Sequence, residues 1–134
     1  MKILVIFVVV SFSTFAKISY QDAFIRLMPP GSFATAGFIT IKNGSNTAVD
    51  LIGVESNFSK VTELHTHVVK DGIMQMRQVK KMKVPAKGEL VLKPHGKHLM
   101  FLELTKKLDK NLKPKANLKF SNGKELKVLF KKKK

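Results

Sequence analysis

The chain is divided into short apolar segments by turn residues, and this punctuation limits the folds that it can adopt. Asn122-Gly123 is the clearest of these turns, because Asn-Gly between two apolar runs is the strongest short-range signal for a β-hairpin. No stretch shows a sustained 3.6-residue period, although residues 105–114 could hold one helical turn before Pro114. The sequence therefore predicts an all-β fold, a Greek-key sandwich or barrel of about eight or nine short strands. The predicted strands cover residues 18–28, 34–42, 47–54, 61–69, 73–79, 89–93, 98–104, 116–121 and 124–130.

The N-terminal segment has the three parts of a secretory signal peptide. Lys2 supplies the positive charge, residues 3–10 form an unbroken apolar run, and small residues lead up to Ala16. The apolar run is shorter than the roughly 20 residues that a membrane-spanning helix needs. We therefore expect residues 1–16 to be a signal peptide cleaved after Ala16. Residues 17–134 are then a single exported, periplasmic domain with a short lysine-rich C-terminal tail.

The chain is strongly basic, with 25 Lys and Arg residues against 9 Asp and Glu residues and a formal net charge of +16. Such a charge is typical of proteins that bind nucleic acids or anionic surfaces. Export argues against nucleic acid, so we expect an acidic protein or an anionic membrane surface as the partner, unless the charge serves solubility alone. The four lysines at 131–134 are expected to form a solvated, mobile tail.

Two histidines and two methionines have a spacing that indicates a metal site. His65, Met76, His98 and Met100 read as H-x(10)-M-x(21)-H-x-M. Imidazoles and thioethers form a soft, neutral ligand set, and soft thioethers select Cu(I) over harder metals. The chain contains no cysteine, so it lacks the thiolate that electron-transfer copper sites use. The ligand types therefore favour copper carriage over electron transfer.

Strand periodicity predicts which of these side chains share a face. His98 and Met100 are two residues apart on one strand and project together, as do His65 and His67 on another. A hairpin in which Val69 pairs with Ile73 would turn Met76 to the opposite face from both of those histidines. A shared site would then require a bulge, or a position at the strand ends.

Most of the chain, from about residue 18 to 130, resembles the periplasmic copper chaperones of the PCu(A)C type. The His/Met spacing carries the resemblance together with three flanking segments. These segments are DAFIRLMPPGSFATAGFITIKN at 22–43, DGIMQMRQV at 71–79 and VPAKGELVLKP at 84–94.

The resemblance implies a cupredoxin-like fold and one bound Cu(I) ion with His65, Met76, His98 and Met100 as ligands. It also implies a monomeric metallochaperone that carries copper for assembly of the CuA centre of cytochrome c oxidase. The expected acceptor is cytochrome c oxidase subunit II or a Sco-type protein.

Other readings of the same residues stay open. His67 or His95 could join His98 in holding Cu(II), which prefers nitrogen ligands, and Met74 could be a further sulfur ligand. Copper sequestration without a dedicated acceptor needs the same site. A small copper redox enzyme and a basic adhesion or membrane-surface module are two further classes. The scattered carboxylates form no acid/base pair, and no nucleophile motif, P-loop or dinucleotide fingerprint occurs, so we expect no enzyme activity.

Overall fold

Eleven strands form two sheets in the part of the chain that the computed structural model describes, residues 8–9 and 17–134. The predicted signal peptide lies outside the described residues, apart from Val8 and Val9. No helix long and apolar enough to cross a bilayer occurs within the described ranges. In chain order the strands are β1 (Ile18–Arg26), β2 (Ala34–Asn43), β3 (Val49–Ser56), β4 (Ser59–Lys70), β5 (Ile73–Val79), β6 (Met82–Val84), β7 (Glu89–Leu92), β8 (His98–Leu104), β9 (Lys115–Phe120), β10 (Glu125–Leu129) and β11 (Lys131–Lys133).

The strands pack as a two-layer β-sandwich. The larger sheet has the order β11-β1-β2-β8-β4-β5, and β7 pairs with the part of β2 beyond β8. The smaller sheet has the order β10-β9-β3-β6. The all-β prediction is therefore confirmed. All nine predicted strands are present, and β6 and β11 are two three-residue strands in addition.

Two local expectations are wrong. Residues 105–114 form bends and a turn with no helical turn among them. The lysine run is not simply a solvated tail, because Lys131–Lys133 forms β11 and pairs in parallel with the end of β1. The strand continues the sheet as far as Leu27, whose N–H donates to the Lys133 carbonyl over 2.6 Å. Main-chain pairing with an exposed edge explains why a sequence of low β-propensity forms a strand here.

Alternation of apolar side chains builds the core between the sheets. On β8, Leu99 and Phe101 are fully buried between the sheets, and on β4 Leu64 is 4% exposed. Gly37 on β2 lets the Phe101 ring pack closely, since a Cβ there would lie 2.5 Å from a carbon of that ring. Burying each large side chain stabilises the fold by about 1.5–3 kcal/mol. The core thus holds the central strands of the larger sheet in a fixed register.

Candidate metal centre

Three of the four candidate ligands lie on the outer face of the larger sheet, where β4 and β8 run side by side. His65 is directly opposite His98, and Glu63 is directly opposite Met100. Side chains directly opposite each other on neighbouring antiparallel strands project to the same face. The residues between them point inward, so this group lies on the side of the sheet away from the core.

The turn between β4 and β5 differs from the prediction by one residue. Asp71 and Gly72 both have positive φ angles, 53° and 75°, as a two-residue type I′ turn requires. Lys70 therefore pairs with Ile73, whereas the predicted hairpin paired Val69 with Ile73. Asp-Gly favours this turn type because both positions tolerate positive φ. A shift of one residue moves every side chain of β5 to the other face.

The corrected register brings the fourth candidate ligand to the same face as the other three. His67 lies directly opposite Met76, and His67 is two residues from His65 on β4. Met76 therefore faces the same side as His65, His98 and Met100 without a bulge between Leu64 and Lys70. The conflict expected from the sequence disappears because the turn has two residues. The metal ligation of these four side chains remains a prediction.

The imidazoles cluster around His98. The centroid of the His98 ring lies 5.4 Å from that of His65 and 5.6 Å from that of His67. His98 is only 6% exposed, while Met76 is 54% exposed at the margin of the group. Met74 lies on the same face, opposite Val69, and is more exposed than Met76. His95 is separate and exposed, on the turn that precedes β8.

Nitrogen and oxygen donors alone do not assemble a site. Within residues 8–9 and 17–134, no three His, Cys, Asp or Glu side chains converge closely enough to hold a metal ion. The sulfur-bearing side chains of Met76 and Met100 lie on the same face as the imidazoles.

The buried imidazole of His98 is oriented by a hydrogen bond, and its surroundings lower its pKa. Its Nδ1 lies 3.1 Å from the Gly96 carbonyl oxygen, so Nδ1–H donates and the Nε2 lone pair is free. Burial lowers the pKa of His98, the Gly96 hydrogen bond opposes this, and the nearby His65 and His67 lower it further. Metal binding requires neutral imidazole, so this lowered pKa favours a ligand role for His98.

Glu63 orients the second imidazole, and it was not among the residues singled out from the sequence. Its Oε2 lies 2.7 Å from His65 Nε2, so this nitrogen donates and Nδ1 carries the lone pair. His65 Nδ1 is buried and without a hydrogen-bond partner, as is His67 Nδ1. Carboxylates commonly fix metal-ligating histidines in this way. Because Glu63 precedes His65 by two residues, the strand period could have indicated it.

Aromatic rings border the cluster on the side of β2 and β1. The Phe38 ring centroid lies 6.4 Å from that of His98, and the Phe24 centroid lies 5.0 Å from that of Phe38. The contact between Phe24 and Phe38 depends on the pairing of β1 with β2, where the two residues are opposite each other. The contact between Phe38 and His98 depends on the pairing of β2 with β8. No local sequence signal indicates this neighbourhood, because it arises from strand order.

The chain is similar over most of its length to a described family and to a curated protein. Residues 18–131 match the family described as "Putative lipoprotein LpqE-like". A protein of Leifsonia xyli subsp. xyli (strain CTCB07), named "Putative lipoprotein Lxx21020", is 37% identical over 95 residues. That match covers 69% of this chain and 57% of the relative, so the chain spans little more than half the length of that protein.

Solved structures share the fold. Cu(I)-bound DR1885 of Deinococcus radiodurans has a TM-score of 0.72 at 28% identity, over 90% of this chain and 82% of that one. The copper-bound PCuAC domain from PmoF2 has a TM-score of 0.71 at 17% identity, over 85% and 90%. The apo PCuAC domain from PmoF1 has a TM-score of 0.72 at 17% identity, over 87% and 93%. These likenesses confirm the predicted cupredoxin-like all-β fold.

Proposed function

We propose a copper-carrying function on the premise that the chain belongs to the LpqE-like family of PCu(A)C-type proteins. The observation that carries the proposal is the shared outer face of His65, Met76, His98 and Met100. The protein binds one Cu(I) ion there and passes it to an acceptor. DR1885, which has been solved with Cu(I), is 28% identical to this chain, and this supports the same cargo here.

The donor set suits a monovalent copper ion. His98 Nε2 and His65 Nδ1 are the nitrogens whose lone pairs are left free by the hydrogen bonds to Gly96 and Glu63. Met76 and Met100 add neutral sulfurs, which Cu(I) prefers to harder ligands. All four donors are uncharged, so the bound ion keeps its single positive charge. The site carries no thiolate to hold the ion more tightly.

Release proceeds by ligand exchange. A cysteine thiolate of the acceptor forms a Cu–S bond while a Cu–S bond to a methionine breaks, and copper stays monovalent throughout. A proton leaves to solvent where the attacking group starts as a thiol. Met76 leaves first, because it is the half-exposed ligand on the outermost strand of the sheet. The buried His98 leaves last.

The proposed biological setting is the cell envelope, and the names of the relatives support it. The names of the LpqE-like family and of the Leifsonia relative describe lipoproteins, which supports export of this chain to the cell envelope, in the periplasm. The acceptor is the CuA centre of cytochrome c oxidase, reached directly through subunit II or by way of a Sco-type protein. No enzymatic step is required of the protein itself.

Replacement of both sulfur ligands tests the site. Met76→Leu with Met100→Leu is expected to weaken Cu(I) binding by more than about 100-fold. Loss of a residue that only hydrogen-bonds to a metal ligand already costs about 10–100-fold. The measurement is competition with a chromogenic Cu(I) chelator under anaerobic conditions. Met74→Leu is the matched control, because Met74 lies on the same strand and face as Met76.

Unchanged affinity in the double variant would rule out the proposed site. Loss of affinity in Met74→Leu alone would move the sulfur ligand to position 74. The phenotype of cells that lack the protein distinguishes copper carriage from copper sequestration. Reduced oxidase activity supports carriage, whereas copper sensitivity with normal oxidase activity supports sequestration.

A further inference from the structure

We propose that the outer face of the larger sheet docks an acidic surface of the copper acceptor through a cationic strip beside the metal ligands. The cationic strip consists of Arg26, Lys131 and Lys133 together with the rings of Phe24 and Phe38. This inference rests on the proposed function, and it adds the position and the charge of the acceptor's contact surface.

Strand pairing puts the basic side chains of the strip on the ligand face. In the parallel pair of β1 and β11, Phe24 is in register with Lys131 and Arg26 with Lys133. Residues in register project to the same face, and Phe24 shares its face with Phe38 on β2. Arg26, Lys131 and Lys133 are all exposed. The end of the lysine run thus belongs to the surface that carries the candidate ligands.

Aromatic contacts connect the cations to the ligand cluster. Lys133 Nζ lies 4.3 Å from the Phe24 ring centroid, and Arg26 Cζ lies 6.0 Å from that of Phe38. Phe24 and Phe38 are in contact, and Phe38 neighbours His98. Cations are attracted to ring faces by the quadrupole of the ring, which holds them in position without neutralising their charge.

The charge of the strip is available to a partner. The Lys–carboxylate ion pairs found among the described residues join Lys81 to Asp50 and Lys119 to Glu55. Asp50 and Glu55 belong to β3 of the smaller sheet, on the other side of the sandwich. Glu63, the carboxylate beside the ligands, is engaged by His65. Carboxylates of an acceptor could therefore pair with the strip without displacing an internal partner.

The size of the face suits a short-lived complex. Strands lie about 4.8 Å apart and rise about 3.3 Å per residue, so six strands of roughly seven residues offer on the order of 550 Å². Transient complexes bury less than about 1,200 Å² over both partners. A carrier must release its acceptor after each transfer, which fits an interface of this size.

The ligand positions favour a protein over a lipid surface. An attacking thiolate must approach Met76 and Met100 from the outer face, which is also the face of the strip. An anionic bilayer lying on the strip would cover these methionines and supply no thiolate. An acidic protein that presents cysteines would pair its carboxylates with the cationic strip and offer a thiolate to the copper in one docking event.

Charge reversal within the strip tests the proposal. The probes are a synthetic peptide with two cysteines and several glutamates, and the same peptide with each glutamate replaced by glutamine. Stopped-flow absorbance follows capture of Cu(I) from the loaded protein at low ionic strength. Lys131→Glu with Lys133→Glu is expected to slow capture by the acidic peptide about tenfold, the lower end of electrostatic steering effects. Capture by the glutamine peptide is expected to be unchanged.

Two controls isolate the strip from net charge and from folding. Lys83→Glu with Lys127→Glu makes the same change in net charge at exposed positions of the smaller sheet, and is expected to slow capture less than twofold. Lys131→Gln with Lys133→Gln removes the charge without adding acid next to β1, and is expected to give an intermediate rate. At about 1 M salt the differences should vanish, because charges are screened beyond about 3 Å.

The outcomes separate this inference from the function on which it rests. Absence of Cu(I) binding by the unmodified protein would overturn both. Bound copper with equal capture rates in the two charge-reversed variants would overturn the docking surface alone. Binding to phosphatidylglycerol vesicles that is lost in Lys131→Glu with Lys133→Glu, while peptide capture is unaffected, would assign the strip to a membrane and overturn the inference.

Discussion

The two faces of the larger sheet are built from the same strands and serve different ends. On the inner face of β8, Leu99 and Phe101 are fully buried in an apolar core. On its outer face, His98 lies beside the imidazole of His65 and the ring of Phe38, and Met100 faces the same side opposite Glu63. Alternation along a strand lets each residue serve one face with little effect on the other. Stability and metal binding should therefore respond to different substitutions, even at adjacent positions.

Removal of a core ring should produce the largest effect. Phe101→Ala empties the space over Gly37 and next to Phe58, and should destabilise the fold by about 3–5 kcal/mol. Chemical denaturation of the metal-free protein measures this loss. The neighbouring outer-face change Met100→Leu should cost less than about 1.5 kcal/mol, since it conserves volume. Similar losses in the two variants would show that the faces are not independent.

A change of one residue in the hairpin turn should affect the outer face most. If Asp71-Gly72 remains the turn, a glycine inserted after Gly72 would pair Val69 with Ile73 and place Met76 on the side away from His65. Cu(I) affinity should fall by roughly 100-fold, because loss of a residue that only supports a metal ligand already costs about 10–100-fold. The melting temperature should change little, because β5 is exposed along nearly its whole length. Retained affinity in a variant whose cross-strand NMR contacts show Val69 paired with Ile73 would mean that Met76 is not a ligand.

The smallest expected effect concerns the pH dependence of stability in the metal-free protein. Burial lowers the pKa of His98, so between its folded pKa and its ordinary value of 6.5 the unfolded state binds more protons. Stability should then fall as pH drops below about 6.5. His98→Asn, whose amide can still donate to the Gly96 carbonyl, should lessen that fall. Denaturation curves between pH 5 and 7.5 give the comparison.

An identical pH profile in His98→Asn would mean that the imidazole is not responsible. Because one group produces this effect, it should be smaller than either of the two preceding changes.

Local sequence patterns predicted most strands and the candidate ligands. The features that they did not predict depend on which distant segments pair in the sheets. The nine main strands follow from the alternation of apolar residues and from the turn residues. The candidate ligands His65, Met76, His98 and Met100 follow from the spacing of histidine and methionine. The error at Asp71-Gly72 was avoidable, since that dipeptide favours a two-residue turn. The pairing of Lys131–Lys133 with β1 was not, because it depends on an edge formed more than 100 positions earlier in the chain.

Because Met76 is accessible to solvent, oxidants can reach the proposed site as easily as an acceptor can. Oxidation of a thioether to the sulfoxide turns a soft sulfur donor into a polar group, and accessible methionines react first. Met76 and Met74 are exposed to solvent, whereas His98 is buried. A peroxide in the cell envelope would thus oxidise Met76, the outermost of the proposed ligands, and leave the imidazoles intact. Recovery would then require a methionine sulfoxide reductase rather than new protein.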